Sequence, residues 1–202
     1  AIVVPTSHLV IRNYIGESLS WDDAGYWQGM WYISTMYLLL ITTTLSVYYT
    51  PKLSELKNNN ELKKEIKNGY IKIIPFTVLF SVAIYILRED VIRIAFSESF
   101  LPMLELFKWQ LAGDVMKISS YLLSTMMIAK AMTKKYIYSE LFFSGSFVLL
   151  AIFFIQQYGL VGITYAYFIN YLFYFFFLVF SFRWLFYEKS ATCVCIYYNL
   201  QS

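Results

Sequence analysis

Five stretches of the chain are apolar almost throughout: 27–49, 71–87, 104–129, 136–155 and 160–182. A helix rises about 1.5 Å per residue, so roughly 20 apolar residues cross a hydrocarbon core of about 30 Å. The stretches are too long and too uniformly apolar for barrel strands, which alternate with period two. They predict an all-α, polytopic transmembrane helix bundle. The opening AIVVPTSHLVIRN reads as the end of a further span, about 1–12, which makes five full spans plus part of a sixth.

Between the spans, connections rich in lysine alternate with connections that hold few basic residues. The connection 51–72 carries Lys52, Lys57, Lys63, Lys64, Lys67 and Lys72, and the connection after 129 carries Lys130, Lys134 and Lys135. Lysine and arginine gather on the cytoplasmic side, so both connections are expected inside. RNYIGESLSWDDAG, REDVIRIAFSESFLP and QQYGLVG hold few basic residues and are expected outside. The tail after Arg183 then returns to the cytoplasm. Within 51–72, Leu53, Leu56, Leu62 and Ile66 recur near helical spacing, which fits either an amphipathic helix on the membrane surface or a solvated charged loop.

Composition agrees with this division. Of 202 residues, 59% are hydrophobic and 14% charged, with 19 Tyr, 18 Phe and five Trp. A soluble domain is nearer half apolar and a quarter charged, so too little polar surface exists to cover a water-soluble core. The net charge of +3 is modest, and no basic run is interleaved with aromatics as a nucleic-acid groove requires. Cys193 and Cys195, with one distant histidine, form neither a zinc site nor a disulfide framework. No phosphate-binding glycine loop, no HExxH and no Ser, His and Asp set at consistent depth is found, so neither an enzyme, a metal nor a cofactor is expected.

Polar residues inside the spans are the candidate chemistry. A charged side chain at a helix centre costs about 2.5 to 3.5 kcal/mol on insertion scales, so Asp114 and Lys117 are not expected to face lipid. At 100° per residue Gln110, Asp114, Lys117, Tyr121 and Ser124 form one stripe, which must face a bundle interior or a watery cavity. Asp114 and Lys117, three apart, could pair on their own helix. The pair is either part of a site or a buried pair that sets helix rotation. On the first full span Gln28, Tyr32, Thr35, Thr42, Ser46 and Tyr49 share a face, which either glues helices together or lines a polar path. Arg12, with His8 one turn earlier, either snorkels to headgroups or offers a planar fork to phosphate.

The strings SWDDAGYWQGMWYIS, LSVYYTPKLSEL and LFKWQLAGDVMKISSYL, with IAKA, carry a family likeness. The chain resembles the C-terminal half of the Wzx-type O-antigen and enterobacterial common antigen (lipid III) flippases, of the multidrug, oligosaccharidyl-lipid and polysaccharide exporter superfamily. The likeness runs from about Val4 to Lys130 and rests on hydropathy alone thereafter. It implies the second lobe of a two-lobe flippase in the bacterial inner membrane, with a cytoplasmic C-terminus and an N-terminal lobe beyond this sequence. The implied substrate is an undecaprenyl-diphosphate-linked oligosaccharide moved from the cytoplasmic to the periplasmic leaflet. A polysaccharide polymerase and a chain-length regulator are candidate partners, with the lipid bilayer. On this resemblance Arg12 and Lys117 would neutralise diphosphate, Gln28 and Gln110 would bond sugar hydroxyls, Trp27 and Trp109 would stack on sugars, and Asp114 would tune Lys117 or carry a proton. Two other readings stay open: a drug or cation antiporter with Asp114 as coupling carboxylate, which the adjacent Lys117 disfavours, and a scaffold that docks polysaccharide-assembly enzymes.

Overall fold

A computed structural model describes residues 3–182, and every described regular element is helical. α1 spans Val3–Ser18 and α2 starts at Trp21. The break between them is chemical: the Ser20 hydroxyl accepts from the Asp23 amide at 3.0 Å and donates to Asp23 Oδ2 at 2.7 Å. With Asp22 and Asp23 in the first turn, the cap and the helix dipole act together.

α2 (Trp21–Thr44) passes through a π-helical turn, Leu45–Tyr49, into α3 (Thr50–Glu55), so the helical run continues from Trp21 to Glu55. The wide turn has a local cause. Pro51 has no amide hydrogen, and its ring crowds the carbonyl four residues back, which disfavours α-type bonding there. The Thr50 hydroxyl donates instead to the Leu45 carbonyl at 3.2 Å.

The connection 51–72 does not form a separate surface helix. It breaks only at Leu56–Asn58, where Asn58 caps α4 (Asn59–Ile86) by accepting from the Asn60 amide at 2.9 Å. No proline lies between Asn59 and Pro75, so the lysine-bearing turns continue straight into the span. Leu62, Ile66 and Gly69 are buried along one side of that extension. The α3 and α4 ends are joined by the Lys52–Glu65 ion pair at 2.7 Å and by the Tyr49 hydroxyl donating to the Glu65 carbonyl at 3.2 Å.

α5 (Arg88–Ala95) and 3-10 turns over Glu98–Leu106 lead into α6 (Phe107–Ala129), α7 (Thr133–Tyr158) and α8 (Val161–Ser181). Among the described residues, four helices are long and apolar enough to cross a membrane: Trp21–Glu55, Asn59–Ile86, α7 and α8. The stretch 104–129, expected as a full span, is not among them. Its first residues are 3-10 turns, and α6 carries Lys108, Asp114 and Lys117. Protein surrounds it instead of lipid, since α6 packs against α2, α3, α4, α7 and α8. α1 lies at one side, against α2 and α7.

The outside of the bundle is apolar: Met36 is 70% exposed, Leu149 71% and Phe180 72%. Side chains of this kind over several helices need hydrocarbon as solvent. The architecture is an all-α polytopic membrane bundle. Its two basic connections lie at one end, where the Lys130 ammonium donates to the Leu56 carbonyl. At the other end Tyr26 of α2 meets Phe100 of the 3-10 segment edge to face at 5.5 Å. The expected cytoplasmic C-terminus, the tail after Arg183 and Cys193 with Cys195 lie outside the described residues.

Candidate functional site

α6 buries its polar stripe in the middle of the bundle. Gln110, Asp114 and Ser124 are buried, while Lys117 and Tyr121 are half-buried. Asp114, fully buried, accepts two hydrogen bonds of 2.8 Å: Oδ2 from Tyr37 of α2 and Oδ1 from Tyr167 of α8. The Tyr37 oxygen lies 3.2 Å from Ser81 Oγ of α4. Because the Tyr37 proton goes to the carboxyl group, Ser81 is the donor in that second contact. One carboxyl group therefore ties together α2, α4, α6 and α8.

Lys117 does not join Asp114 in an ion pair within 4.0 Å, so the pairing that the three-residue spacing allows is not made. Its ammonium lies over the Trp31 ring at 4.6 Å, with Tyr171 at 5.8 Å and Tyr167 at 5.9 Å. An ammonium over ring faces is held by their quadrupoles and keeps its hydrogens for another ligand. Trp31 also meets His8 of α1 at 3.8 Å between centroids.

A carboxylate that sequence reasoning passed over, Glu140 of α7, completes this layer. Glu140 Oε1 accepts from the Tyr174 hydroxyl at 3.2 Å. Glu140, His8, Trp31, Asn170 and Tyr171 line a cavity of about 40 Å³, room for a water molecule. The available signal was a Glu inside the apolar stretch 136–155. The tyrosines Tyr37, Tyr167, Tyr171 and Tyr174 gave no such signal, because nothing sets them apart among 19.

The other expected site residues are dispersed. Trp27 is 1% exposed and stacks on His8 with ring planes 4° apart, so it is core and presents no free face to a sugar. Trp109 packs edge-on to Tyr165 at 5.3 Å and against Phe168, with the Lys108 ammonium 5.6 Å above it. With Tyr158 it lines an aromatic groove where α6 begins and α7 ends, a place suited to a membrane-interface ring. Arg12 is exposed on α1, one turn beyond His8. Gln28 is half-buried, whereas Gln110 is 1% exposed and its amide nitrogen has no hydrogen-bond partner among the described residues.

The α2 stripe divides. Tyr32 is 56% exposed, Thr35 and Ser46 are exposed, and Tyr49 is buried. Ser46 Oγ lies 2.9 Å from the Tyr121 hydroxyl of α6, so the two stripes meet at their basic end. Among the described residues no group of His, Cys, Asp and Glu is placed to hold a metal ion.

No family model and no solved structure matches the chain. Over 178 residues it is 34% identical to curated proteins named lipid III flippase from Escherichia coli (strain K12) and Shigella flexneri. The alignment covers 87% of this chain and 42% of each relative, so the chain spans about two-fifths of their length. The matched stretch is longer than the segment from Val4 to Lys130, so the likeness reaches past α6.

Proposed function

The chain is homologous to the lipid III flippases over 87% of its length, and from that premise we propose that it serves the translocation of a polyprenyl-diphosphate-linked oligosaccharide. The lipid would pass from the cytoplasmic to the periplasmic leaflet of a bacterial inner membrane, in surface polysaccharide biosynthesis, without a catalytic step. The observation that carries the reading is the Lys117 ammonium, inside a membrane bundle yet bound to rings and to no carboxylate within 4.0 Å.

The barrier to such a passage is the headgroup. Stripping water from a diphosphate and several sugars is prohibitive unless protein groups replace it. Lys117 supplies charge, and half-buried Gln28 with exposed Tyr32 and Thr35 on α2 would supply amide and hydroxyl partners beside Trp31, which carries Lys117. Trp31 and Tyr171 take the aromatic role expected of Trp27 and Trp109. Arg12 would act at the headgroup's point of departure and Gln110 through its unpaired amide. Asp114 serves as a positioning residue, holding α6 against three neighbours so that Lys117 keeps its place. An N-terminal lobe, opposing the polar α2 face, would complete the cavity for alternating access. The two basic connections would face the cytoplasm.

Replacing Lys117 tests this in the host cell, with the protein expressed as it exists there. A charged hydrogen bond contributes about 1.5–3 kcal/mol, roughly a tenfold to hundredfold change. Lys117→Ala is expected to reduce surface polysaccharide by about tenfold or more at unchanged membrane abundance, and Lys117→Arg to retain most of it. Unchanged surface polysaccharide in Lys117→Ala overturns the assignment.

A further inference from the structure

Glu140 lies two turns inside α7, a membrane helix, with little to hold a charge there. A carboxylate accepts about four hydrogen bonds. Among the described residues Glu140 receives one, of 3.2 Å from the Tyr174 hydroxyl. No lysine, arginine or histidine of the described residues lies within 4.0 Å of it. A carboxylate at that depth is costly unless a cation can come to it.

Shared walls identify the cation. Trp31, Tyr167 and Tyr171, the three rings around the Lys117 ammonium, also line the cavity that Glu140 lines. Glu140 and Lys117 act on one another electrostatically across that space. Asp114 is the other carboxylate of the layer, and both of its oxygens already accept tyrosine hydroxyls. His8 reaches the same cavity, but its ring is stacked on Trp27 and tilted against Trp31.

A transport site must also let go. A diphosphate bound to a buried ammonium for which nothing competes would enter and stay, whereas passage needs binding weak enough to leave. We propose that Glu140 is the competing anion: it takes the Lys117 ammonium when the site is empty and holds the affinity for diphosphate low enough for release. The lysine stem is long and flexible, so the ammonium turns from the rings to Glu140 while α6 and α7 stay in place. One cation is then exchanged between two anions, one fixed on α7 and one travelling. The inference rests on the functional reading above and assigns to α7 the step that follows binding.

The test is a binding cycle on the full-length protein in lipid nanodiscs, titrated with undecaprenyl diphosphate. The parent, Glu140→Gln, Lys117→Ala and the double variant are compared. Glutamine removes the charge, while its amide oxygen can still accept from Tyr174. Glu140→Gln is expected to bind roughly fivefold tighter than the parent, and the gain should shrink to about twofold or less in the Lys117→Ala background. Glu140→Met, also uncharged, should show the same gain, so the result does not hang on one variant. In the host cell Glu140→Gln should lower surface polysaccharide despite its tighter binding, and Glu140→Asp should retain most of it. Unchanged or weaker binding by both uncharged variants, or an equal gain with and without Lys117, overturns the role of Glu140. If Lys117→Ala has by then weakened binding, the functional reading stands without Glu140. If Lys117→Ala binds as the parent does, both fall.

Discussion

Asp114 owes its position to tyrosines that lie 77 and 53 residues away in sequence. A buried carboxyl group that loses one of two donors is left with a lone pair in a medium that cannot hydrate it. Tyr37→Phe and Tyr167→Phe should each destabilise the protein by about 1–3 kcal/mol, read as a lowered midpoint of thermal unfolding in detergent. Tyr37→Phe should be the more harmful of the two, because it also strands the Ser81 hydroxyl. Equal melting of both variants and the parent would show that Asp114 is not held this way. Helical periodicity was enough to place Asp114 inside, since the angular position of a residue follows from its number. It could not choose the partner: Lys117 is near in sequence, but its ammonium turns to Trp31, Tyr167 and Tyr171.

Between elements, closeness is set by what one backbone can tolerate from the next. At the α7–α8 turn a Cβ on Gly162 would lie 2.1 Å from the Phe154 carbonyl oxygen, a backbone atom that has no rotamer to escape into. Gly145, in the middle of α7, has nothing within 4 Å of the corresponding position. Gly162→Ala should therefore destabilise the hairpin by about 1–3 kcal/mol. Gly145→Ala should be neutral or stabilising by up to about 1 kcal/mol, because alanine loses less backbone entropy in a helix. The two midpoints of thermal unfolding should move apart, and parallel shifts would refute the close approach. The sequence showed two glycines in apolar runs without separating their roles. It likewise showed Pro51 without showing the π turn that answers it, because a proline can end a helix as readily as widen it.

Across the whole molecule, the sign of loop charge and the packing of helices speak to the same axis. Loop composition groups 51–72 with 130–135, and the Lys130 contact to Leu56 brings those connections together. What loop charge could not reveal is that α6 is the shared neighbour of the other long helices. Centrality depends on contacts between segments distant in sequence, and α6 reads as a poor span because lipid is not its main environment. With α6 at the centre, the ends of the bundle form two chemically distinct faces, one basic and one with the acidic first turn of α2 and the 3-10 segment. Single cysteines test the orientation after Cys193→Ser and Cys195→Ser remove the native thiols. Lys57→Cys and Lys134→Cys, both at exposed positions, should resist an impermeant maleimide in intact cells, with the outer membrane made leaky, and react once the inner membrane is opened. Leu19→Cys and Ser97→Cys, exposed at the opposite end, should react before it is opened. Lysine-rich segments resist translocation across the inner membrane, so the reverse pattern would place the basic face in the periplasm.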